Sequence, residues 1–142
     1  MMRRPQILVV DDEPQIQRFL KPALAAAGYD VIRAMDGAEA LAALRAHAPD
    51  VVVLDLGLPD LDGKEVITLM RRHSETPIIV LSARGEEGEK IAALDRGADD
   101  YVAKPFGIGE LLARIRVALR STAGGGAVAA TVLVCGDVEV DL

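Results

Sequence analysis

The sequence predicts an α/β fold in which a five-stranded parallel sheet is covered by helices on both faces. Short apolar runs rich in Val and Ile alternate five times with stretches that carry apolar residues at helical spacing. Several of these runs are apolar throughout, which is typical of strands buried on both faces. Hydrophobic residues make up 51% of the 142 residues, so the chain can bury a substantial core.

The five predicted strands are short and are separated by five predicted helices. The strands cover residues 7–10, 29–34, 51–54, 77–81 and 100–103. The apolar helix stripes begin at Ile16, Ala38, Val66, Ile91 and Ile108. Pro14 suits the first turn of the first helix, and Gly28 and Gly97 suit helix ends that need a left-handed residue. Asp12 and Asp36 suit helix starts. Pro22, inside the first helix, predicts a local bend.

The regular alternation ends near residue 120, and a different pattern follows. Residues 121–131 begin with STAGGGA, a composition typical of a flexible linker. Residues 132–142 then alternate apolar and polar side chains, like the opening strands of a further domain. A C-terminal tail that simply frays is the alternative. We therefore expect a main unit over residues 1–120, a linker, and a short stub.

Charge and composition exclude several function classes. The chain has 16 Lys and Arg against 22 Asp and Glu, and the net charge of −6 argues against binding DNA or an anionic membrane through a basic surface. A single Cys argues against a disulfide framework or a Cys-based zinc site. No segment approaches the roughly 18 apolar residues of a membrane span, and no signal peptide is evident. We expect a soluble, cytoplasmic protein.

Polar side chains stand where the predicted strands end. Asp11 and Asp12 follow the first strand, Asp55 the third, Ser82 the fourth and Lys104 the fifth. In an open parallel sheet the ligand site lies beyond the carboxyl ends of the strands. Three carboxylates held together repel one another, and proteins keep such clusters when a hard cation such as Mg²⁺ neutralises them.

The same groups fit phosphoryl transfer. A bound Mg²⁺ would offset the charge of a phosphoryl oxygen, with Lys104 as a second cation and Ser82 as a hydrogen-bond donor. Asp55 is the predicted nucleophile, because it follows the most apolar strand and precedes a loop that can fold over a ligand. Taken singly, each residue has an ordinary interpretation as a helix cap, turn residue or loop lysine. The joint pattern at four strand ends is what indicates a site.

Two other phosphate-handling folds fit less well. A dinucleotide-binding fold would place a Gly-rich turn after the first strand, where this chain has DDEPQ. An aspartyl-phosphate hydrolase of the haloacid-dehalogenase type is similar in its Asp nucleophile, Ser, Lys and acidic pair. That family needs a second Asp two residues after the nucleophile, where this chain has Gly57, and its acidic pair follows the lysine. The hydrolase is therefore a remote alternative.

Four motifs give the chain its resemblance to a known family. In order along the chain they are ILVVDDE, VVVLDLGLPDLDG, PIIVLSA and GADDYVAKPF. Over residues 5–120 the chain resembles the receiver domain of the response regulators of two-component signalling. The resemblance implies a flavodoxin-like doubly wound (βα)5 fold with strand order 2-1-3-4-5. It also implies a switch that phosphorylates and dephosphorylates itself, and not an enzyme that turns over a substrate.

The resemblance implies a role for each site residue. Asp55 would accept a phosphoryl group from a sensor histidine kinase. Asp12, Asp55 and the main-chain carbonyl of Gly57 would ligate Mg²⁺, with Asp11 acting through a water molecule. Lys104 would contact the phosphoryl group.

Two further features follow from the resemblance. The peptide bond between Lys104 and Pro105 is expected to be cis. Ser82 and Tyr101 would form a switch pair, in which the hydroxyl moves to the phosphate and the aromatic ring turns inward. For Tyr101, simple packing in the core is the ordinary alternative.

Charged residues on the fourth helix, fifth strand and fifth helix indicate which subfamily of response regulators the chain resembles. In the subfamily of the OmpR and PhoB regulators, which this segment resembles, such charges pair across a two-fold dimer. The candidate intersubunit pairs are Lys90–Glu110, Asp100–Arg114 and Asp95–Arg116. An ordinary solvated surface is the alternative, in which each pair contributes only about 0–1 kcal/mol.

That subfamily continues, after a linker, into a winged-helix DNA-binding domain, and residues 132–142 resemble its first strands. The segments LDLGLPDLDGKEVI and KPFGIGELLARIRVALR are most similar to the potassium-transport (Kdp) regulators. These similarities imply a homodimer on phosphorylation, and DNA binding only through a winged-helix domain of which this chain holds the opening strands. A stand-alone receiver, which passes on a phosphoryl group or docks on a protein without DNA, is the alternative.

Overall fold

The structure, a computed structural model, describes residues 4–83 and 87–127, with side chains up to residue 120. Within this part, strands and helices alternate as predicted. The strands are Gln6–Val10 (β1), Asp30–Ala34 (β2), Val51–Asp55 (β3), Ile78–Ala83 (β4) and Asp100–Lys104 (β5). The helices are Pro14–Ala26 (α1), Gly37–His47 (α2), Gly63–Arg71 (α3), Glu87–Arg96 (α4) and Ile108–Ala127 (α5). The predicted strand bounds agree with the observed ones to within two residues at either end.

All five strands are parallel and lie in the order β2-β1-β3-β4-β5. This confirms the predicted flavodoxin-like fold and its strand order. The chain steps outward from β1 to β2 and then returns past β1 to β3, so the strand order reverses between β1 and β3. At such a switch point the connections leave the sheet edge in opposite directions, and a crevice opens beyond the carboxyl ends of the two strands.

The helices divide between the two faces of the sheet. Because alternate residues of a strand point to opposite faces, each strand contributes to two separate cores. The core under α1 and α5 includes Ile7, Val9, Leu20, Val53, Leu81 and Ile115. The core under α2, α3 and α4 includes Leu8, Val10, Leu44, Leu54, Ile67 and Val80. Each fully buried Ile, Leu or Val contributes roughly 1.5–3 kcal/mol, so both helical layers are held firmly.

The helix starts follow the sequence signals in part. Pro14 occupies the first position of α1, as predicted. The residue before it, Glu13, is the N-cap and makes no side-chain capping bond, so Asp12 does not cap this helix. Asp36 caps α2, because its carboxylate accepts a hydrogen bond from the backbone N–H of Glu39 at 2.8 Å.

Helix ends also match the expected turn chemistry. Gly28 and Gly97 have φ values of 100° and 123°, in the left-handed region that favours glycine. Pro22 lies inside α1, which continues to Ala26 because Leu20 and Leu24 on either side of the proline are fully buried. The bend expected at this proline stays a prediction.

The last helix extends beyond the predicted unit. α5 runs to Ala127, so residues 121–127, which their composition assigned to a flexible linker, are helical. Once a helix is nucleated and packed, each further residue adds a backbone hydrogen bond, and a glycine costs only about 1 kcal/mol relative to alanine. The rest of the predicted linker and the predicted stub, residues 128–142, lie outside the described residues. No described helix is both long and apolar enough to cross a lipid bilayer.

Candidate functional site

The carboxyl ends of β1, β3 and β5 bring predicted site residues together at one edge of the sheet. Asp11, Asp12 and Asp55 each offer a carboxylate oxygen, and these oxygens all lie within 4.8 Å of one another. The ammonium nitrogen of Lys104 lies 3.3 Å from Oδ1 of Asp55 and 3.5 Å from Oδ2 of Asp11. Three acids and one lysine that are up to 93 residues apart in sequence therefore form a single cluster.

Strand pairing explains why these residues meet. Val10 pairs with Leu54 across β1 and β3, so the next residues along, Asp11 and Asp55, are neighbours at the sheet edge. Side chains alternate between faces, and Asp55 and Lys104 each follow by two residues a strand residue that packs under α1 and α5. The long lysine side chain can therefore reach Asp55 across the intervening strand β4.

Asp11 is fully buried, and one of its oxygens lacks a hydrogen bond. Oδ1 accepts a hydrogen bond from the backbone N–H of Glu13 at 2.9 Å, whereas Oδ2 accepts none from the residues that the structure describes. The pKa of this carboxyl is raised to about 6, first because burial disfavours the charged form. The like charge of Asp55 raises the pKa further, while the N–H of Glu13 and the ammonium of Lys104 act in the opposite direction.

The donor set fits a hard divalent cation. A buried carboxylate oxygen without a donor is costly, and a cation beside it removes that cost. Mg²⁺ prefers oxygen ligands and keeps several waters, so one or two carboxylates and a carbonyl suffice. Gly57 lies in the loop directly after Asp55, and both residues line an open cavity of about 460 Å³ together with Asp12. The predicted Mg²⁺ ligands are thus grouped around one space.

Lys104 lies beside three acids at this edge of the sheet. Besides Asp55 and Asp11, its ammonium nitrogen lies 3.4 Å from Oε1 of Glu13. Burial by itself lowers the pKa of an ammonium group, but the charges of the three acids outweigh burial, so the pKa of Lys104 is raised. The lysine therefore stays protonated and supplies a fixed positive charge. Its peptide bond to Pro105 is cis, which confirms the expectation from the family resemblance.

Ser82 and Tyr101 lie on the face of the sheet that α2, α3 and α4 cover. Ser82 is buried and lines the cavity. Tyr101 pairs with Val80 across β4 and β5, so its ring lies on the face that also carries Ser82, two residues beyond Val80. The Tyr101 hydroxyl accepts a hydrogen bond from the ammonium of Lys90 at 3.0 Å, and that nitrogen lies 4.1 Å from the ring centroid.

Some residues predicted to pair across a dimer are already paired within one chain. Nη1 of Arg114 lies 3.1 and 3.0 Å from the two carboxylate oxygens of Asp100, and its Nη2 lies 3.5 Å from Oε2 of Glu110. Asp95 and Arg116 are exposed on α4 and α5. The Asp100–Arg114 contact forms internally because β5 packs directly against α5. An intersubunit pair at this position would have to replace or share it.

Two acidic residues belong to the site although the sequence did not single them out. Glu13 contacts Lys104 as described, and Glu89 of α4 lines the cavity. Glu89 also forms an ion pair with Lys64 of α3 at 2.7 Å. The signal for Glu13 was its position directly after the Asp11–Asp12 pair. Nothing local marks Glu89, because α4 reaches the cavity only through the packing of the whole layer.

Gln17 is a further residue that the sequence did not single out. It is buried in α1, and its side-chain amide nitrogen lies 3.0 Å from the carbonyl oxygen of Asp11, 3.1 Å from that of Val9 and 3.2 Å from that of Ala34. The amide thus ties the ends of β1 and β2 together beneath the acidic cluster. The signal was a polar residue on the buried helix stripe, three residues before Leu20.

The fold and the acidic edge together define the class of protein. The family described as "Response regulator receiver domain" matches residues 7–116, which is most of the chain. The chain therefore belongs to the response regulator receiver domain family, as its four motifs predicted.

Two individual proteins show which members of this family the chain is similar to. The chain is 50% identical over 136 residues to "Transcriptional regulatory protein KdpE" of Mycobacterium tuberculosis, covering 96% of this chain and 60% of the relative. It is 56% identical over 114 residues to "KDP operon transcriptional regulatory protein KdpE" of Escherichia coli, covering 80% of this chain and 51% of the relative. The predicted similarity to the Kdp regulators is confirmed. The chain spans 51–60% of the length of these relatives.

Solved structures agree with the fold. The receiver domain of the Francisella response regulator 1452 superposes with a TM-score of 0.78 at 39% identity, covering 83% of this chain and 98% of the other. NtrX from Brucella abortus superposes with a TM-score of 0.83 at 32% identity, covering 89% of this chain and 29% of the other.

Proposed function

We propose that this chain is the phosphorylation-controlled switch of a two-component transcription regulator, and that Asp55 accepts a phosphoryl group from a sensor histidine kinase. The observation that carries the proposal is the setting of Asp55. Its side chain is only 11% exposed, yet it opens onto the cavity, 3.3 Å from a protonated lysine and beside two further carboxylates. That setting suits a nucleophile whose product carries extra negative charge.

The chemistry follows from the groups around the cavity. As phosphoryl transfer proceeds, the bond between phosphorus and the kinase histidine nitrogen breaks, and a bond forms between phosphorus and a carboxylate oxygen of Asp55. The ammonium of Lys104 compensates charge on the phosphoryl oxygens, and the hydroxyl of Ser82 donates a hydrogen bond to one of them. The product is an acyl phosphate on the chain itself, so the domain is a switch and not an enzyme with turnover.

Mg²⁺ is the proposed cofactor. Asp12, Asp55 and the main-chain carbonyl of Gly57 would hold the ion, with Asp11 acting through a water molecule. When bound, the ion supplies positive charge beside the phosphoryl oxygens. The clustered carboxylates support a divalent cation at this place, as does Oδ2 of Asp11, which accepts no hydrogen bond from the described residues and has Lys104 at 3.5 Å.

The output would pass through Tyr101 to the face formed by α4, β5 and α5. Movement of the Ser82 hydroxyl toward the phosphoryl group would leave room for the Tyr101 ring to turn inward. Lys90, which now contacts that ring, would then become available to a partner's surface. The proposed two-fold pairs are Lys90–Glu110, Asp95–Arg116 and a shared Asp100–Arg114.

Transcription control is proposed from the relatives. Both KdpE proteins are named as transcriptional regulators, and one is named for the KDP operon. We infer that this receiver controls a DNA-binding domain of the same kind, and that potassium-transport genes are the target. A receiver acting through protein docking without DNA is the outcome to expect if phosphorylation leaves the chain monomeric.

The test is intact mass and solution size measured on one sample. The protein is treated with Mg²⁺ and acetyl phosphate, alongside Asp55→Ala and the control Asp50→Ala, which removes a hydrogen bond to Gln6 at the opposite end of β1 from the cavity. We expect one phosphoryl adduct in the wild type and the control, none in Asp55→Ala, and a dimer only where the adduct forms. An adduct without a dimer would remove the dimer proposal. An adduct retained in Asp55→Ala would overturn Asp55 as the acceptor.

A further inference from the structure

The loop between β3 and α3 is anchored at two points. At its base, the backbone N–H of Gly63 donates a hydrogen bond to the carbonyl of Leu56 at 3.1 Å. Further along, Oδ1 of Asp60 accepts a hydrogen bond from the backbone N–H of Gly37 at 2.8 Å, and Oδ2 accepts one from Ala38 at 3.1 Å. Gly37 and Ala38 begin α2, so one carboxylate ties this loop to a neighbouring helix.

The charge and the shape of the loop both complement the start of α2. The first N–H groups of a helix have no partner inside the helix and carry partial positive charge, which favours a carboxylate. The hydrogen bond from Gly37 is the main reason that the pKa of Asp60 lies below its ordinary value. Leu61 packs so closely that a Cβ on Gly37 would lie 2.8 Å from Leu61 Cδ1. The start of α2 and the loop therefore fit together closely.

Gly57 lies between the two anchor points and has little else to hold it. It is exposed, and no described residue places an atom within 4 Å of a Cβ built on it, so packing against the described part of the chain does not fix its position. Its backbone N–H donates to Oδ1 of Asp55 at 3.3 Å, which is a long bond. The direction of its carbonyl therefore depends on the anchors at either end of the loop.

We propose that Asp60 is a positioning residue for the metal site, because its two hydrogen bonds to α2 hold the loop so that the Gly57 carbonyl and the Asp55 carboxylate face one cation. Asp60 is not among the residues that line the cavity, and it acts through the loop alone. The inference rests on the proposed function, since it takes Gly57 as a Mg²⁺ ligand.

The test is the Mg²⁺ affinity of the whole chain, measured by titration calorimetry with MgCl₂. Asp60→Ala removes both hydrogen bonds, and we expect its dissociation constant to rise roughly tenfold, at the lower end of the 10–100-fold losses seen for groups that orient metal ligands. Asp60→Asn keeps one oxygen that can accept the N–H of Gly37, so we expect a smaller loss. This graded rescue separates the hydrogen bonds from the size of the side chain.

The matched control is Asp50→Ala. The Asp50 carboxylate also accepts a backbone N–H, that of Gln6 at 2.7 Å, but at the opposite end of β1 from the site. Losing it should lower the melting temperature and leave the Mg²⁺ affinity unchanged. Melting temperatures without Mg²⁺ are measured for all variants, so that affinity is compared between proteins of known stability.

The outcomes are distinguishable. A folded Asp60→Ala protein with wild-type Mg²⁺ affinity would overturn the positioning role, as would an equal loss of affinity in Asp50→Ala. If Asp60→Ala does not fold, Asp60→Asn decides, and wild-type affinity in that variant overturns the inference. If the wild type itself binds no Mg²⁺, the proposed metal site is what fails.

Discussion

Asp11 carries a fully buried carboxyl whose charged form is costly in the absence of a cation. The ammonium of Lys104, 3.5 Å from Asp11, is shared with Asp55 and Glu13 and cannot fully compensate any of them. Without a cation, the like charges held together at this sheet edge therefore lower the stability of the folded chain. Two single-residue changes test this.

The raised pKa of Asp11 makes stability depend on pH. Its carboxyl titrates near 3.8 when unfolded and at about 6 when folded. Between these values the folded state binds more protons, so the free energy of unfolding falls as pH rises, by at most roughly 3 kcal/mol, and levels off above pH 6. Asp11→Asn should remove this decline and be more stable than the wild type at pH 7. Urea unfolding in EDTA across this pH range measures both effects, and an unchanged pH profile in the variant would contradict the account.

Lys104 supplies the positive charge that the acids share. Lys104→Met keeps most of the side-chain volume but leaves Asp11, Glu13 and Asp55 without a cation. Removing one partner of a fully buried ion pair costs about 3–5 kcal/mol, and since Lys104 is 23% exposed we expect about 1–3 kcal/mol.

Added Mg²⁺ should restore much of the stability lost in Lys104→Met, because it brings positive charge to the same acids. Unfolding with and without MgCl₂ tests this, and Lys21→Met, an exposed lysine of α1, serves as the control that should change little. The same loss at every Mg²⁺ concentration would count against the shared-charge account.

At the scale of elements, the loop between β3 and α3 contains two glycines with different surroundings. There is room for a side chain at Gly57 but not at Gly63. A Cβ on Gly63 would lie 2.6 Å from the backbone Cα of Leu56, whereas a Cβ on Gly57 would meet no atom of the described residues within 4 Å. The backbone at Leu56 cannot move aside without disturbing the end of β3. The two glycines therefore have different structural roles.

Substituting the two glycines tests this difference. Gly63→Ala should lower the free energy of unfolding by about 1–3 kcal/mol, the usual cost of overpacking, because the added methyl group meets backbone. Gly57→Ala should stay within about 0.5 kcal/mol of the wild type, as for most exposed substitutions. Midpoints of urea unfolding for the two variants give the comparison, and equal losses would show that the loop is not packed as described.

At the scale of the whole molecule, the proposed metal site would couple ion binding to folding. The acids that form it come from β1 and β3, which meet only in the folded sheet, so Mg²⁺ should bind the folded chain alone. A ligand at 100 times its dissociation constant then stabilises by about 2.7 kcal/mol. Millimolar Mg²⁺ should raise the melting temperature, Asp12→Ala should abolish the rise, and Asp50→Ala, at the opposite end of β1, should keep it. An unchanged melting temperature in the wild type would mean that the pocket does not bind the ion.

The fold and the location of the candidate site could be predicted from the amino-acid sequence alone. Apolar runs that alternate with stretches of helical spacing predicted the bounds of each strand to within two residues. They could do so because the pattern of apolar residues along an element reflects which of its faces is buried. Because the carboxyl ends of parallel strands lie at one edge of the sheet, the sequence predicts that Asp11, Asp55 and Lys104 lie close together. The four motifs then predicted the family that the comparison confirmed.

The contacts between side chains of different elements could not be predicted from the sequence and are visible only in the folded chain. The missing hydrogen bond of Asp11, the tie from Asp60 to α2 and the internal Asp100–Arg114 pair each join residues far apart in sequence or depend on how layers pack. The last helix also ran past the point where composition predicted a linker. Local patterns report which face of an element is buried, but distances and charges between elements are set only when the whole chain packs together.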